Sequence, residues 1–380
     1  MNITVVGGMG KLGSEIAAHI KQFYPVRIAD IKPGGESTKE ATRDADIVIV
    51  LVDTPSLDSG AFDVSNVCSA CEEIDLTRWR LIMVSCTVNP GDTEGAIRET
   101  LERNGKQAHV DFGLCYSPEF VRQGSVRADF ANPDLVLAGC ATMLEEAALQ
   151  EFYRKVCQMD PTFMSVESAE IAKIGLNTML TAKVAKANEI AWLCQHTPGA
   201  DARDVLGAIG KDKRIGERLM HAGPPPGGPC LPRDDRAFAE AYNKAGLGVS
   251  ISSGVDLWRD WQIEEMALLA QRAGQRVGVV GLSFKPWHSD PTESPGIELA
   301  TMLKAETFDP YIESTCKSLV ELASKADVIV LAMPFEHVEN LHNLDLDGKT
   351  VIDWWGMIAD GMGAWKGCKY IRFGKGPDRC

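Results

Sequence analysis

Cys230 is the residue whose neighbours most suggest chemistry. It lies in Gly227-Gly228-Pro229-Cys230-Leu231-Pro232-Arg233-Asp234, where a glycine-rich approach gives a substrate room to reach the sulfur and a carboxylate follows at i+4. A thiolate adds to an electrophilic carbonyl carbon and holds the product covalently. A buried structural cysteine is the ordinary alternative. Lys173 and Asn177 form a second candidate set. At i and i+4 of a helical stretch they share one face, about one turn apart, and a cation with an amide can stabilise a developing oxyanion. Taken alone, the pair reads first as solvated helix surface. The third candidate is a phosphate-binding turn: Thr4-Val5-Val6-Gly7 runs into Gly8-Met9-Gly10-Lys11-Leu12-Gly13, and then into Ser14-Glu15-Ile16-Ala17 at helical spacing. The glycines allow a tight turn and close approach of a pyrophosphate, and the helix N-terminus supplies amide donors. Asp30, at the end of the second strand, can accept bonds from ribose hydroxyls and would repel a 2′-phosphate, which favours NAD over NADP. Lys32 nearby softens that preference.

These residues need elements to hold them. Apolar runs at Ile3–Val6, Val26–Ala29, Ile47–Val52, Leu81–Val84 and Leu135–Ala138 alternate with helical segments, which predicts a parallel sheet with crossover helices. Glu167–Gln195 keeps helical spacing without a proline and reads as one long helix carrying Lys173 and Asn177. After the Gly/Pro-rich stretch Gly223–Pro232, helical patterns resume at Ala237–Ala245 and Leu257–Gly274. Strands at Val277–Gly281, Val328–Ala332 and Thr350–Ile352, with a helix at Ile297–Lys304, then form a second alternating region. The expected fold is α/β: two Rossmann-like, doubly wound parallel-sheet domains (1–162 and 271–380) joined by a central helical domain (163–270) built on the long helix.

Composition narrows the function classes. With 380 residues, 45% of them hydrophobic, the chain can bury a sizeable core. A net charge of −14 argues against sequence-independent nucleic-acid binding. No apolar stretch approaches the roughly 18 residues of a membrane span. Met1–Gly7 enters a strand directly, so a cytoplasmic location without a signal peptide is expected. Eleven scattered cysteines read as reduced thiols, and Cys68-x-x-Cys71, which has no second pair at zinc spacing, reads as two small residues on a helix.

Further segments resemble the UDP-glucose/GDP-mannose dehydrogenase family over nearly the whole length. Ser85-Cys86-Thr87-Val88-Asn89-Pro90-Gly91 resembles the family loop S-T-V-P-P-G, and Pro118-Glu119-Phe120-Val121-Arg122-Gln123-Gly124 resembles N-P-E-F-L-x-E-G. Ala169-Glu170-Ile171-Ala172-Lys173 with Asn177 is similar to its active-site helix, and Gly227–Asp234 to G-G-S-C-F-P-K-D. Arg214-Ile215-Gly216 and Phe284-Lys285-Pro286 match two further family segments. The resemblance implies four-electron oxidation of a nucleotide-sugar primary alcohol by NAD, with UDP-glucose or a related UDP-sugar as default substrate. It makes Cys230 the nucleophile that forms a thiohemiacetal and then a thioester. Lys173 and Asn177 become oxyanion partners, and Glu119, Thr87 and Asp234 activate the hydrolytic water. It places the cofactor on Gly8 to Gly13, Asp30, Thr54 and Thr87. Substrate falls to Phe120, Lys173, Asn177, Arg214, Gly227, Gly228, Phe284 and Lys285. No metal is implied, and a homodimer through the central helix is.

Departures concentrate near the C-terminus. Thr292 and Trp355 stand where the family has arginines, Arg233 replaces its lysine, and the first loop lacks an aromatic residue. Arginine to tryptophan exchanges a forked anion donor for a flat apolar surface. The chemistry is thus expected to persist while recognition has shifted, with Trp287, Trp354 and Trp355 as candidates for stacking on a base or sugar, or for packing in the core. Two readings compete: a two-electron β-hydroxyacid-type dehydrogenase, which needs neither Cys230 nor a second sheet domain, and a non-catalytic nucleotide-binding protein.

Overall fold

The computed structural model describes residues 1–103, 105–335, 341, 343–358 and 367–378, and its contacts divide the chain into two units, Met1–Leu176 and Asn177–Cys380. The first unit contains strands β1 (Ile3–Val6), β2 (Val26–Ala29), β3 (Ile47–Val50), β4 (Leu81–Val84), β5 (Gly113–Tyr116), β6 (Leu137–Gly139) and β7 (Thr162–Met164). They form one sheet in the order β2-β1-β3-β4-β5-β6-β7, with every described pairing parallel except β5 with β6. Strands β1, β3 and β4 are buried at every position. Val48, Val50, Ile82 and Val84 enter the core on one face, and Ile47, Ile49, Leu81 and Met83 the core on the other. Continuous apolar runs are what a parallel sheet covered on both faces requires.

The second unit holds β8 (Val277–Val280), β9 (Glu306–Phe308), β10 (Val328–Leu331), β11 (Thr350–Asp353) and β12 (Lys369–Arg372). Their order is β12-β11-β10-β8-β9, parallel throughout. The order reverses between β8 and β10, and in open α/β sheets ligands bind at the carboxyl ends of the strands flanking such a reversal. The segment Phe284-Lys285 follows β8 there.

The long helix runs from Val166 to Gln195 and carries Lys173 in the first unit and Asn177 in the second. Helices Leu231–Lys244 and Ile251–Ala273 pack on one another in the second unit. Trp354 does not stack on a ligand: it is fully buried among Ile263, Met266, Val279 and Ile352. Cys68 and Cys71 lie on helix Ser65–Glu72, and burial drives the Cys71 thiol far above its ordinary range. Among the described residues there is no metal-binding group of acids, histidines and cysteines, and no helix is long and apolar enough to cross a membrane.

Candidate active site

The first unit builds a dinucleotide turn at the carboxyl end of β1. Gly7 has φ +84°, and a Cβ there would stand 2.1 Å from the Leu51 carbonyl oxygen. A Cβ on Gly13 would stand 2.3 Å from the Gly7 oxygen, so both positions require glycine. Gly10 precedes helix Lys11–Ile20, whose N-terminus no side chain caps. That leaves the first-turn amides for an anion, as a bound pyrophosphate requires. Asp30 fixes the turn: its carboxylate accepts from the Met9 amide at 2.7 Å and the Lys32 amide at 2.9 Å. Each oxygen keeps a lone pair for a ribose hydroxyl. These residues fit NAD.

Two further segments of this unit pack on the long helix, and one of them contacts Lys173. Its ammonium donates to the Glu119 carbonyl at 2.5 Å and lies 4.5 Å from the centre of the Phe120 ring. One Glu119 carboxylate oxygen is buried without a hydrogen-bond partner among the described residues. Burial pushes this carboxyl up to about 8, against the pull of the Lys173 charge. Glu119 also lines a cavity of about 10 Å³ with Phe120, Asp129 and Tyr153, which is water-sized. In the Thr87 segment, the Thr54 hydroxyl donates to the Thr87 carbonyl at 2.8 Å. Neighbouring Cys86 is buried between the Val50 carbonyl and the Val52 amide, and burial pushes its thiol up to about 12, so it is inert.

The second unit gathers Asn177, Asp234 and Cys230. The Asn177 amide donates to Asp234 Oδ2 at 2.6 Å, and the Arg233 guanidinium donates to Oδ1 at 3.3 Å. Asp234 is buried, and the two donors satisfy its charge. Cys230 occupies the N-cap of helix Leu231–Lys244 and is exposed. Its own carbonyl accepts from the Asp234 amide at 2.9 Å, closing the first turn. Negative charge forming on the sulfur therefore meets the positive end of a helix.

Profiles of the UDP-glucose/GDP-mannose dehydrogenase family match the chain in two blocks: the NAD binding domain at residues 34–157 and the central domain at 167–257. The chain is 33% identical over 329 residues to the GDP-mannose 6-dehydrogenase of Pseudomonas putida, covering 83% of this chain and 73% of the relative. It is 28% identical over 327 residues to the UDP-glucose 6-dehydrogenase of Rickettsia typhi, covering 79% and 74%. A solved UDP-glucose dehydrogenase from the archaeon Pyrobaculum islandicum superposes with a TM-score of 0.84 at 26% identity, covering 97% of this chain and 96% of that one. The chain belongs to the UDP-glucose/GDP-mannose dehydrogenase family. It is an NAD-dependent dehydrogenase of the nucleotide-sugar 6-dehydrogenase type.

Within this dehydrogenase the glycines before Cys230 also permit close packing. The space beside them is filled by the protein: a Cβ on Gly227 would lie 2.3 Å from the Glu293 carbonyl oxygen, and one on Gly228 2.6 Å from the Phe284 ring. Gly227 and Gly228 thus let the Cys230 loop press on the segment after β8. Phe284 and Lys285 sit in that segment, with the Lys285 ammonium 5.6 Å from the Phe284 ring. Arg214 pairs with its near neighbour Asp212 at 2.6 Å, with its side chain 88% exposed. Trp287 is exposed, and Trp355 is half-buried 5.9 Å from the His221 ring. One residue escaped sequence reasoning: buried Glu170 accepts from the Gly91 amide at 2.5 Å and the Thr93 amide at 2.9 Å, tying the Thr87 segment to the long helix one turn before Lys173. Its signal was a carboxylate three residues before Lys173 and seven before Asn177, on their face of the helix.

Proposed function

We propose that this dehydrogenase oxidises the primary alcohol of a nucleoside-diphosphate sugar to the carboxylate in two NAD-dependent steps through a thioester on Cys230, with UDP-glucose or a related UDP-sugar as the first substrate to try. The observation that carries the reading is Cys230, exposed at a helix N-terminus in the same unit as the part-buried Asn177–Asp234 pair. Bound NAD supplies the hydride acceptor for both oxidations. Gly8, Met9, Gly10, Lys11, Leu12 and Gly13 hold it, with Asp30, Thr54 and Thr87.

The chain's own residues do the rest. The Cys230 sulfur adds to the aldehyde carbon, forming a C–S bond and an alkoxide, and this covalent hold prevents loss of a reactive intermediate. Lys173 and Asn177, one turn apart on a single helix face, stabilise the negative oxygen. Loss of hydride leaves the thioester. Glu119, with Thr87 and Asp234, directs water onto that carbon, the C–S bond breaks, and the thiol and carboxylate are released. Phe120, Arg214, Phe284 and Lys285 are assigned to substrate. Exposed Met179 and Leu193 on the long helix support a homodimer through it, checked by sedimentation.

A screen of nucleotide sugars with NAD, read at the nicotinamide absorbance with limiting sugar, tests the reading. Two NADH per sugar is the expected yield. One NADH supports instead a two-electron β-hydroxyacid-type oxidation, and none with any sugar a non-catalytic binder.

A further inference from the structure

The loop before Cys230 poses a backbone problem. It reads Gly223-Pro224-Pro225-Pro226-Gly227-Gly228-Pro229-Cys230 and is buried at residues 223–225, 227 and 228, surfacing at the cysteine. Proline has no amide hydrogen, so half of this loop cannot anchor itself by donating. Its buried carbonyls need donors from elsewhere.

Helix Ile251–Ala273 provides them on one face. Gln262 donates from Nε2 to the Gly223 carbonyl at 2.8 Å. One turn earlier, Arg259 donates from Nε to the Pro226 carbonyl at 3.1 Å. Another turn earlier, Asp256 pairs with Arg236 of the Cys230 helix at 3.3 Å. Residues at i, i+3 and i+6 thus read the nucleophile segment at three points. Each tether is itself fixed. Gln262 accepts from the Asn188 amide at 3.1 Å, and Asn188 accepts from the Gly223 amide at 3.0 Å, a closed network of buried groups. The Arg259 guanidinium, 7% exposed, also donates to the Glu293 carbonyl at 3.1 Å and pairs with Glu298. Beside it the Gly228 amide donates to the Thr292 carbonyl at 2.9 Å. One guanidinium therefore holds the Cys230 loop and the segment after β8 together.

We propose that Arg259 and Gln262 are positioning residues for the nucleophile, acting on Cys230 through the Pro226 and Gly223 carbonyls. The inference rests on the thioester reading above. Neither residue touches the reacting atoms, so their removal should act on kcat and leave cofactor binding alone. Arg259→Lys keeps the charge opposite Glu298 but loses the fork that reaches two carbonyls at once.

The test compares wild type, Arg259→Lys, Gln262→Met and Cys230→Ser in the full chain. The readouts are kcat, KM for NAD, NADH binding by fluorescence, melting temperature, and iodoacetamide labelling of Cys230 followed by peptide mass spectrometry. Arg259→Lys is expected to lower kcat by about 10²-fold, the scale of a misplacement of about 1 Å. KM for NAD and NADH binding should stay at wild-type values, and Cys230 labelling should change. Gln262→Met should show the same split with a smaller fall, and it decides the matter alone if Arg259→Lys does not fold. Wild-type kcat in both variants, or a fall in kcat matched by loss of NADH binding and melting temperature, overturns the proposal. Wild-type kcat in Cys230→Ser overturns the thioester reading instead.

Discussion

The two sheets of this dehydrogenase start from the same turn and end in opposite states. In the first unit Gly7 follows β1 and packs on the Leu51 carbonyl, Gly13 packs on Gly7, and Asp30 accepts from Met9. In the second, Gly281 (φ +89°) follows β8 and packs on Met333, a Cβ on Gly296 would lie 2.3 Å from the Gly281 oxygen, and Asp309 accepts from the Leu282 amide at 2.7 Å. The correspondence extends from glycine to glycine to aspartate. The ends differ. Helix Lys11–Ile20 begins at an uncapped glycine. Helix Pro295–Leu303 begins with a proline and is capped by Ser294. Asp30 is half-exposed, whereas Asp309 is buried under amides of Tyr311 and Ile312 as well as Leu282. Only the first turn offers amides and a carboxylate to a dinucleotide. The second uses the same parts to hold the segment that carries Phe284, Lys285 and Trp287 and presses on Gly228.

The largest effect should separate the two turns by cofactor affinity. Gly13→Ala forces a Cβ onto the Gly7 oxygen and should weaken NADH binding by about 10²-fold, or about 2.8 kcal/mol. Gly296→Ala makes the same clash in the second unit and should leave NADH affinity unchanged in whatever fraction folds. Fluorescence titration reads both, and equal losses would erase the distinction. Next, Asp309→Ala strands buried amides and should cost about 2–4 kcal/mol in denaturant unfolding without altering NADH binding.

Acid–base behaviour should also belong to the first unit. With its carboxyl at about 8, Glu119 is protonated below that pH and cannot act as a base. Activity should therefore rise with pH to a plateau above about 8, and Glu119→Gln should remove that limb; a limb that survives the substitution points to another group. The linked stability has the opposite sign. Because the folded-state pKa is raised, the Glu119 contribution is most favourable below the unfolded-state pKa of about 4.3 and declines as pH rises towards 8. The smallest effect is at the second helix start, where Ser294→Ala should cost about 1 kcal/mol by thermal melting and leave NADH affinity intact.

Much of this was legible in the sequence through local signals. The apolar runs of β1 to β4, the glycine turn and the long helix follow from periodicity and spacing, and each formed close to its expected ends. Strand β5 went unread because Gly113 opens it and its four residues follow a polar turn. Strands β9 and β12 went unread because edge strands carry Glu306, Lys369 and Arg372, which break an apolar pattern. The packing of Gly227 and Gly228 has no local signal, since the atoms they press on, in Glu293 and Phe284, are far away in sequence. Arg259 and Gln262 were invisible for the same reason: a donor on one helix and a proline carbonyl on a distant loop share no local pattern.

The most direct test of the account counts NADH from a limiting amount of the sugar substrate in wild type and in Cys230→Ser. The thioester account predicts two NADH per sugar from the wild type, and a Cys230→Ser variant that does not complete the second oxidation at the wild-type rate. Two NADH per sugar from that variant at the wild-type rate would contradict it.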